Sequence, residues 1–294
     1  MIHLTAIIMT RDEAAHVGRA IASLQGIVTE ILVVDSGSTD GTQQIAADAG
    51  ARVIHHDWIN YATQFNWALG QLGPDVDWVL RLDADEIVTS ALADEIAAGL
   101  PQDVSGATVS RVMYFQGQPV RHGGVFALPM LRLIRAGHGR CEARWMDEHL
   151  VCDGPVINLQ GQIIDDNRKS LDWWTAKHNA YASREAVDLL NLRHGFLPLG
   201  TDRPSLKRWV KERIYRHLPG GLRAGAYFLY RYVLRGGFRD GRQARAFHVL
   251  QGFWYRYLVD AKLAEVERHM ASTGAAAPEA IRAVLGIDVA RAAP

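Results

Sequence analysis

The first hundred residues repeat one pattern, a short apolar run followed by a helical period, and that alternation admits only a small set of folds. Residues 4–9, 30–34, 52–55 and 77–82 read as strands. Between them, residues 14–24 place Ala20, Ile21 and Leu24 on one helical face. Residues 43–49 form a second helix, opened by Asp40-Gly41-Thr42 and closed by Gly50, and residues 61–69 a third. Strands joined through helices pair in parallel, so the reading is an α/β fold with a mostly parallel central sheet flanked by helices. At 294 residues and 48% hydrophobic, the chain can bury one large core, or a core and a smaller appendage.

In such sheets ligands bind outside the carboxyl ends of the strands, and two acidic signatures fall there. The first is Val33-Val34-Asp35-Ser36-Gly37-Ser38-Thr39-Asp40-Gly41-Thr42; the second is Asp83-Ala84-Asp85, closing Trp78-Val79-Leu80. A strand that ends in D-x-D brings two hard oxygen ligands within reach of one divalent cation, which can offset the charge of a diphosphate. Asp85 is the better metal candidate, and Asp83 serves the metal or a ribose. Glu86 either adds a ligand or lies on the surface. Asp35 can hold a nucleotide's base or ribose. Each signature has a plainer meaning: D-A-D-E suits a helix N-terminus, and Asp35, Ser36, Ser38 and Asp40 suit a turn or a cap. The ordered pair favours a metal–diphosphate site. Thr10, Arg11 and Glu13 sit on the same expected rim, while Gln64 and Asn66 lie on a polar helix face that is either ligand-facing or solvated.

Charge is polarised along a chain of net charge zero. Residues 1–103 carry 4 Lys+Arg against 15 Asp+Glu, and residues 203–256 carry 13 against 2. The acidic front half excludes a nucleic-acid footprint there. Two cysteines without a CxxC pattern do not make a disulfide framework. The N-terminus reads as a first strand rather than a signal peptide, and no apolar run approaches the ~20 residues of a membrane span. The expectation is a cytoplasmic protein.

Ala6-Ile7-Ile8-Met9-Thr10-Arg11-Asp12-Glu13, the stretch 33–42, Gln64-Phe65-Asn66 and residues 82–86 together resemble the family 2 glycosyltransferases of the GT-A fold. The likeness is closer to bacterial enzymes of lipopolysaccharide core and exopolysaccharide synthesis, and covers about a third of the chain. It implies an inverting transferase that uses a nucleotide sugar, commonly UDP-linked, with Mn²⁺ or Mg²⁺. By position it implies that Asp35 and Asp40 contact the nucleoside, with Thr10, Glu13, Ser38, Gln64 and Asn66 lining the donor site. Asp83 and Asp85 would meet ribose, diphosphate and metal.

Inversion by in-line displacement needs one base at the acceptor hydroxyl. Trp145-Met146-Asp147-Glu148-His149-Leu150 is the candidate stretch. The family shows E-D-x-x-L or H-E-x-L here, and this chain fits neither pattern cleanly. A D-x-x-L reading makes Asp147 the base, an H-E reading makes it Glu148, and both stay open. His149 could approach metal or acceptor or be structural. Arg132 resembles a recurrent family arginine that binds diphosphate or acceptor; the alternative is a strand arginine paired with a carboxylate.

The expected organisation is a nucleotide-sugar half at 1–103, an acceptor-side half at 104–200 and a basic, aromatic-rich helical extension at 201–294. Residues 107–115 and 130–134 read as strands in a loop-rich stretch reaching Asn158, and 172–192 as a long helix. Arginines alternate with large aromatics in Tyr227-Phe228-Leu229-Tyr230-Arg231-Tyr232 and Gly252-Phe253-Trp254-Tyr255-Arg256-Tyr257. That composition fits a helical subdomain packed on the core, a contact of residues 203–256 with anionic membrane, or both; nucleic acid is the least favoured partner. Residues 235–241 resemble the C-terminal extensions of envelope-polysaccharide enzymes, whose acceptors are saccharides or lipid-linked saccharides. The competing readings are a sugar nucleotidyltransferase and an inactive membrane-surface module. The first would need a glycine-rich basic loop after the first strand, where this chain has the acidic Thr10-Arg11-Asp12-Glu13. The second would be signalled by loss of the D-x-D or the acceptor-side acid.

Overall fold

A computed structural model of the chain describes residues 2–142, 149–197 and 221–289. It divides into two compact units, Met1–Arg121 with Val125–Lys169, and His122–Gly124 with Ser170–Pro294. The main segment of the second unit starts at Ser170.

The first unit is built on β1 (Leu4–Thr10), β2 (Glu30–Asp35), β3 (Arg52–His55) and β4 (Trp78–Asp83), paired in parallel in the order β3-β2-β1-β4. The helices α1 (Val17–Ala22), α2 (Thr42–Asp48) and α3 (Tyr61–Leu69) connect them, in the sequence the alternation predicts. Side chains of a strand alternate between faces. Ala6, Ile8, Val33, Leu80 and Leu82 therefore pack one way, against Val17, Ala20 and Ile21 of α1. Ile7, Leu32, Val34 and Val79 pack the other way, against Ala62, Phe65 and Ala68 of α3. Both faces are covered, which is why these strands read as continuous apolar runs.

Beyond β4 the sheet is mixed, and the expectation of a mostly parallel sheet is corrected there. β5 (Glu86–Val88) and α4 (Ser90–Ala97) precede β6 (Gly106–Phe115), β7 (Gln118–Pro119), β8 (Leu128–Arg135) and the long β11 (Val156–Asn167). β8 runs antiparallel to β4 and β6, β11 runs parallel to β6, and β5 closes the edge antiparallel to β11. The sheet thus has nine strands, with β7 paired to β6. Chain reversals without helices in this half allow antiparallel pairing. β11 takes the place of part of the predicted loop-rich stretch. A Cβ on its Gly161 would collide with the Leu92 backbone of α4, so glycine there lets the helix lie close on the strand. A separate ribbon pairs β9 (Gly139–Cys141) with β10 (Leu150–Cys152).

Among the described residues, the second unit is helical. It contains α5 (Leu171–His194), α6 (Leu222–Leu229), continued by a π-helical turn at Tyr230–Leu234, α7 (Arg242–Val249), α8 (Tyr255–Thr273) and α9 (Ala277–Leu285). Val187 and Leu190 of α5 pack with Leu263 and Val266 of α8 and Ile281 of α9. The last described helix, α9, buries Ala280 and Ile281. No described helix is long and apolar enough to cross a membrane.

Candidate functional site

Register brings the predicted strand ends together. Thr10 lies beside Asp35, Asp35 beside His55, and Met9 beside Asp83, so the carboxyl ends of β1 to β4 form one row. Two hydrogen-bonded networks grow from that row.

The first joins the loops after β1 and β2. Asp35 is fully buried. Its Oδ1 accepts from the Gly37 and Ser38 amides at 3.0 and 2.8 Å and from Gln43 Nε2 at 2.6 Å. Its Oδ2 accepts from Thr10 Oγ1 at 2.8 Å and Ser38 Oγ at 2.5 Å. Burial raises its pKa, but the donors from Ser38, Thr10 and Gln43 outweigh that and hold the carboxyl below its ordinary range. Ser38 Oγ in turn accepts from the Asp12 amide at 2.8 Å, and Asp40 accepts from the Ala14 amide at 3.0 Å and the Thr42 amide at 3.1 Å. Glu13 bridges Lys169 Nζ at 2.7 Å and His16 Nδ1 at 2.6 Å. His16 Nε2 accepts from the Arg168 amide at 2.8 Å, so its proton sits on Nδ1 and is donated to Glu13. Thr10, Glu13, Asp35, Ser38 and Asp40 are thus brought together, as the sequence predicts. Asp35 accepts from five donors and so shapes the loop at residues 36–40.

Gln64 and Asn66 bond to neighbouring protein groups. Buried Gln64 donates to Ser36 Oγ at 2.8 Å, and its Oε1 lies 2.7 Å from His56 Nδ1. Asn66 accepts from the Cys141 amide at 2.8 Å and donates to the Cys141 carbonyl at 3.0 Å. It pins β9, the strand that leads into residues 143–148. Asp147 and Glu148, the two base candidates, lie outside the described residues.

The second network surrounds the end of β4. Asp83 Oδ1 accepts from Tyr61 OH at 2.8 Å, and Oδ2 lies 3.3 Å from Arg132 Nη2. Arg132 is buried and also contacts Glu86, whose other oxygen accepts from the Asp83 amide at 3.0 Å. Of the two roles read for Arg132, pairing with carboxylates is the one the structure displays. Glu86 is 1% exposed, which rules out the surface alternative. Arg81 lies 3.8 Å from Asp83 and stacks on the Tyr61 ring, 4.1 Å from its centroid. Burial raises the pKa of Asp83, but Arg132, Arg81 and the Tyr61 hydroxyl together hold it well below the carboxylate range. Burial and the Asp83 charge keep the Tyr61 phenol protonated, so it stays a donor.

β11 contributes residues that the sequence reading missed. Asn167 Nδ2 donates to Asp85 Oδ2 at 2.8 Å, the Asp166 amide donates to the Asp85 carbonyl at 3.0 Å, and Asp165 pairs with Arg111 at 3.4 Å. Burial pushes Asp165 up to about 7, with Asp85 and Asp83 adding to the rise and Arg111 and Arg132 opposing it. Burial likewise pushes Glu86 up to about 8, against Arg132. The four carboxyls Asp83, Asp85, Glu86 and Asp165 stand with three guanidiniums, Arg81, Arg111 and Arg132, and a divalent ion would relieve that imbalance. The missed signals were a charged residue inside an apolar strand, Leu80-Arg81-Leu82, and the Asp165-Asp166-Asn167 end of an alternating run.

The residues fit such an ion in part. Among the described residues only Asn167 bonds the half-buried Asp85 carboxylate, which leaves Oδ1 open. The Asp83 side chain is 31% exposed behind it. No group of three or more His, Cys, Asp or Glu among the described residues could hold a metal alone. An ion here needs ligands from a phosphate-bearing molecule and water as well, which is the usual arrangement at nucleotide sites.

Comparison with known proteins agrees with the geometry. The model of glycosyl transferase family 2 matches residues 5–132. A glycosyltransferase of Rickettsia felis is 45% identical over 93 residues, and this match spans 32% of either chain, about a third of the relative's length. One from Rickettsia typhi is 42% identical over 256 residues, 81% of each chain. The lipopolysaccharide core biosynthesis glycosyltransferase LpsC of Rhizobium meliloti is 33% identical over 192 residues, 62% of this chain and 70% of that one.

Proposed function

Since the chain belongs to glycosyl transferase family 2, we propose that it moves a sugar from a nucleotide diphosphate donor, UDP-linked, to a saccharide or lipid-linked saccharide acceptor of the cell envelope. The carrying observation is the row of strand ends that sets the Asp35-organised loop beside the Asp83–Asp85 carboxylates. The loop supplies a fixed wall for the nucleoside, and the acidic pair stands where a diphosphate arrives at the carboxyl ends of the strands. Mn²⁺ or Mg²⁺ held by Asp85, with Asp83 behind it, would neutralise the diphosphate's charge. The name of the Rhizobium relative supports an envelope saccharide as acceptor.

The reaction is a single displacement with inversion. The acceptor oxygen bonds to the anomeric carbon as the bond from that carbon to the diphosphate breaks. The acceptor proton passes to a carboxylate, Asp147 or Glu148, and the nucleoside diphosphate leaves. Tyr61, Arg81 and Arg132 hold Asp83 ionised and fixed throughout, so the site needs no rearrangement to receive charge. Release of UDP from UDP-sugars, measured with Mn²⁺ and with chelator, tests this reading together with D147N and E148Q. One of the two substitutions should abolish turnover and leave donor binding intact; equal, mild losses in both would place the base elsewhere.

A further inference from the structure

In the second unit, α6 and its π-helical continuation turn hydrocarbon outward and charge inward. Leu222, Ala226, Leu229, Tyr230, Val233 and Leu234 are all exposed, Leu222 at 66% and Leu234 at 77%. Their spacing of three to four residues puts them on one face. The two arginines of the same stretch are buried: Arg223 pairs with Asp260, and Arg231 donates through Nε to the Gly123 carbonyl at 3.2 Å. A helix facing water has the opposite pattern, and an exposed apolar stripe of this extent marks a contact surface. At its end the stripe meets exposed Phe238, with Arg235, Arg239, Arg242 and Arg245 exposed around it. None of these four arginines makes an ion pair among the described residues.

We propose that this face lies in the interface of an anionic lipid bilayer, with Leu222, Leu229, Val233, Leu234 and Phe238 among the acyl chains and the four arginines on the headgroups. Apolar stripe, interfacial aromatics and a cationic border are the composition that such a surface recognises. No described helix is long and apolar enough to span, so the proposed contact is in the plane of the membrane. A second copy of the chain suits the face poorly: a two-fold contact sets the patch against itself and would bury the arginines against hydrocarbon or against one another. Lipid binding has its own readout and does not depend on the transferase reading.

The test is co-sedimentation of the full chain with phosphatidylcholine vesicles, with and without phosphatidylglycerol, at low and high salt. Each arginine near an anionic surface contributes about fivefold in partition. Partition onto the anionic vesicles should therefore exceed that onto neutral ones by on the order of a hundredfold at low salt, and should fall as salt rises. R239A/R242A should lose about 25-fold on anionic vesicles only. V233E/L234E, and separately L222E, should each lose more than about tenfold with an unchanged circular dichroism spectrum. Equal partition onto both vesicle types, or full binding by V233E/L234E, would overturn the proposal. So would a dimer in sedimentation equilibrium that V233E/L234E dissociates without any vesicle binding, which would assign the face to a second copy.

Discussion

Arg132→Met removes the cation that two carboxylates share. The Arg132 side chain is 1% exposed, contacts Glu86, itself 1% exposed, and stands 3.3 Å from Asp83 Oδ2. Above the raised Glu86 pKa of about 8, where the pair is ionised, deleting one partner costs about 3–5 kcal/mol, because the remaining charge is stranded. Against a total stability of roughly 5–15 kcal/mol, that is a large fraction. Because the protein has two units, a global melt would mix their responses, so hydrogen exchange of the peptide spanning residues 78–88 is the better readout. A loss of 3–5 kcal/mol should cut protection there by about 10² to 10⁴-fold. R132M/E86Q should recover all but about 1–2 kcal/mol, because glutamine keeps an acceptor for the Asp83 amide and carries no charge. A loss under ~1 kcal/mol in R132M, or a double variant no better than the single, would refute the buried-pair reasoning.

Asp35→Asn tests the other network. A depressed folded pKa gives stability that is present above the unfolded value near 4 and lost as pH falls through the folded value. D35N should be less stable by about 1–3 kcal/mol at neutral pH and show a flatter loss on acidification, read from hydrogen-exchange protection of the peptide spanning residues 33–42 across the acid range; an unchanged acid slope would contradict the assignment. Asn66→Ala frees the Cys141 backbone at the base of the ribbon. Turnover should then fall about tenfold or more while donor affinity holds; a matching fall in donor affinity would mean that Asn66 belongs to the donor site.

The parallel half of the fold was legible because each strand there is buried on both faces and each helix carries its own start and stop signals. Strand β3 and helix α3 fall on the predicted residues. The mixed half was not, since its pairing is set by contacts between distant segments. β11 meets β5 across Asp165 and Glu86, and nothing local says which late run will close an edge. The alternation in β11 is also broken at Gly161, where the register shifts between Asn158 and Gln162. For the site, residue types at strand ends were readable, but their partners were not. Sequence placed Asp35 and Asp83 on the rim, and only geometry shows that Asp35 accepts from β1, its own loop and α2, while Asp85 among the described residues bonds only Asn167 through its side chain. The outward stripe of α6 was hidden for a similar reason: its arginines would ordinarily mark the wet face, and burial of Arg223 with Asp260 and of Arg231 against the Gly123 carbonyl inverts that expectation.

Calorimetric titration of UDP into the full chain, with Mn²⁺ and with chelator, and repeated on D85A, tests the central claim most directly. The account predicts Mn²⁺-dependent binding at least about tenfold tighter than without metal, and a D85A protein that folds normally but has lost the metal dependence. Wild-type affinity and metal response in D85A, or no binding of UDP or any other nucleoside diphosphate by the native protein, would contradict it.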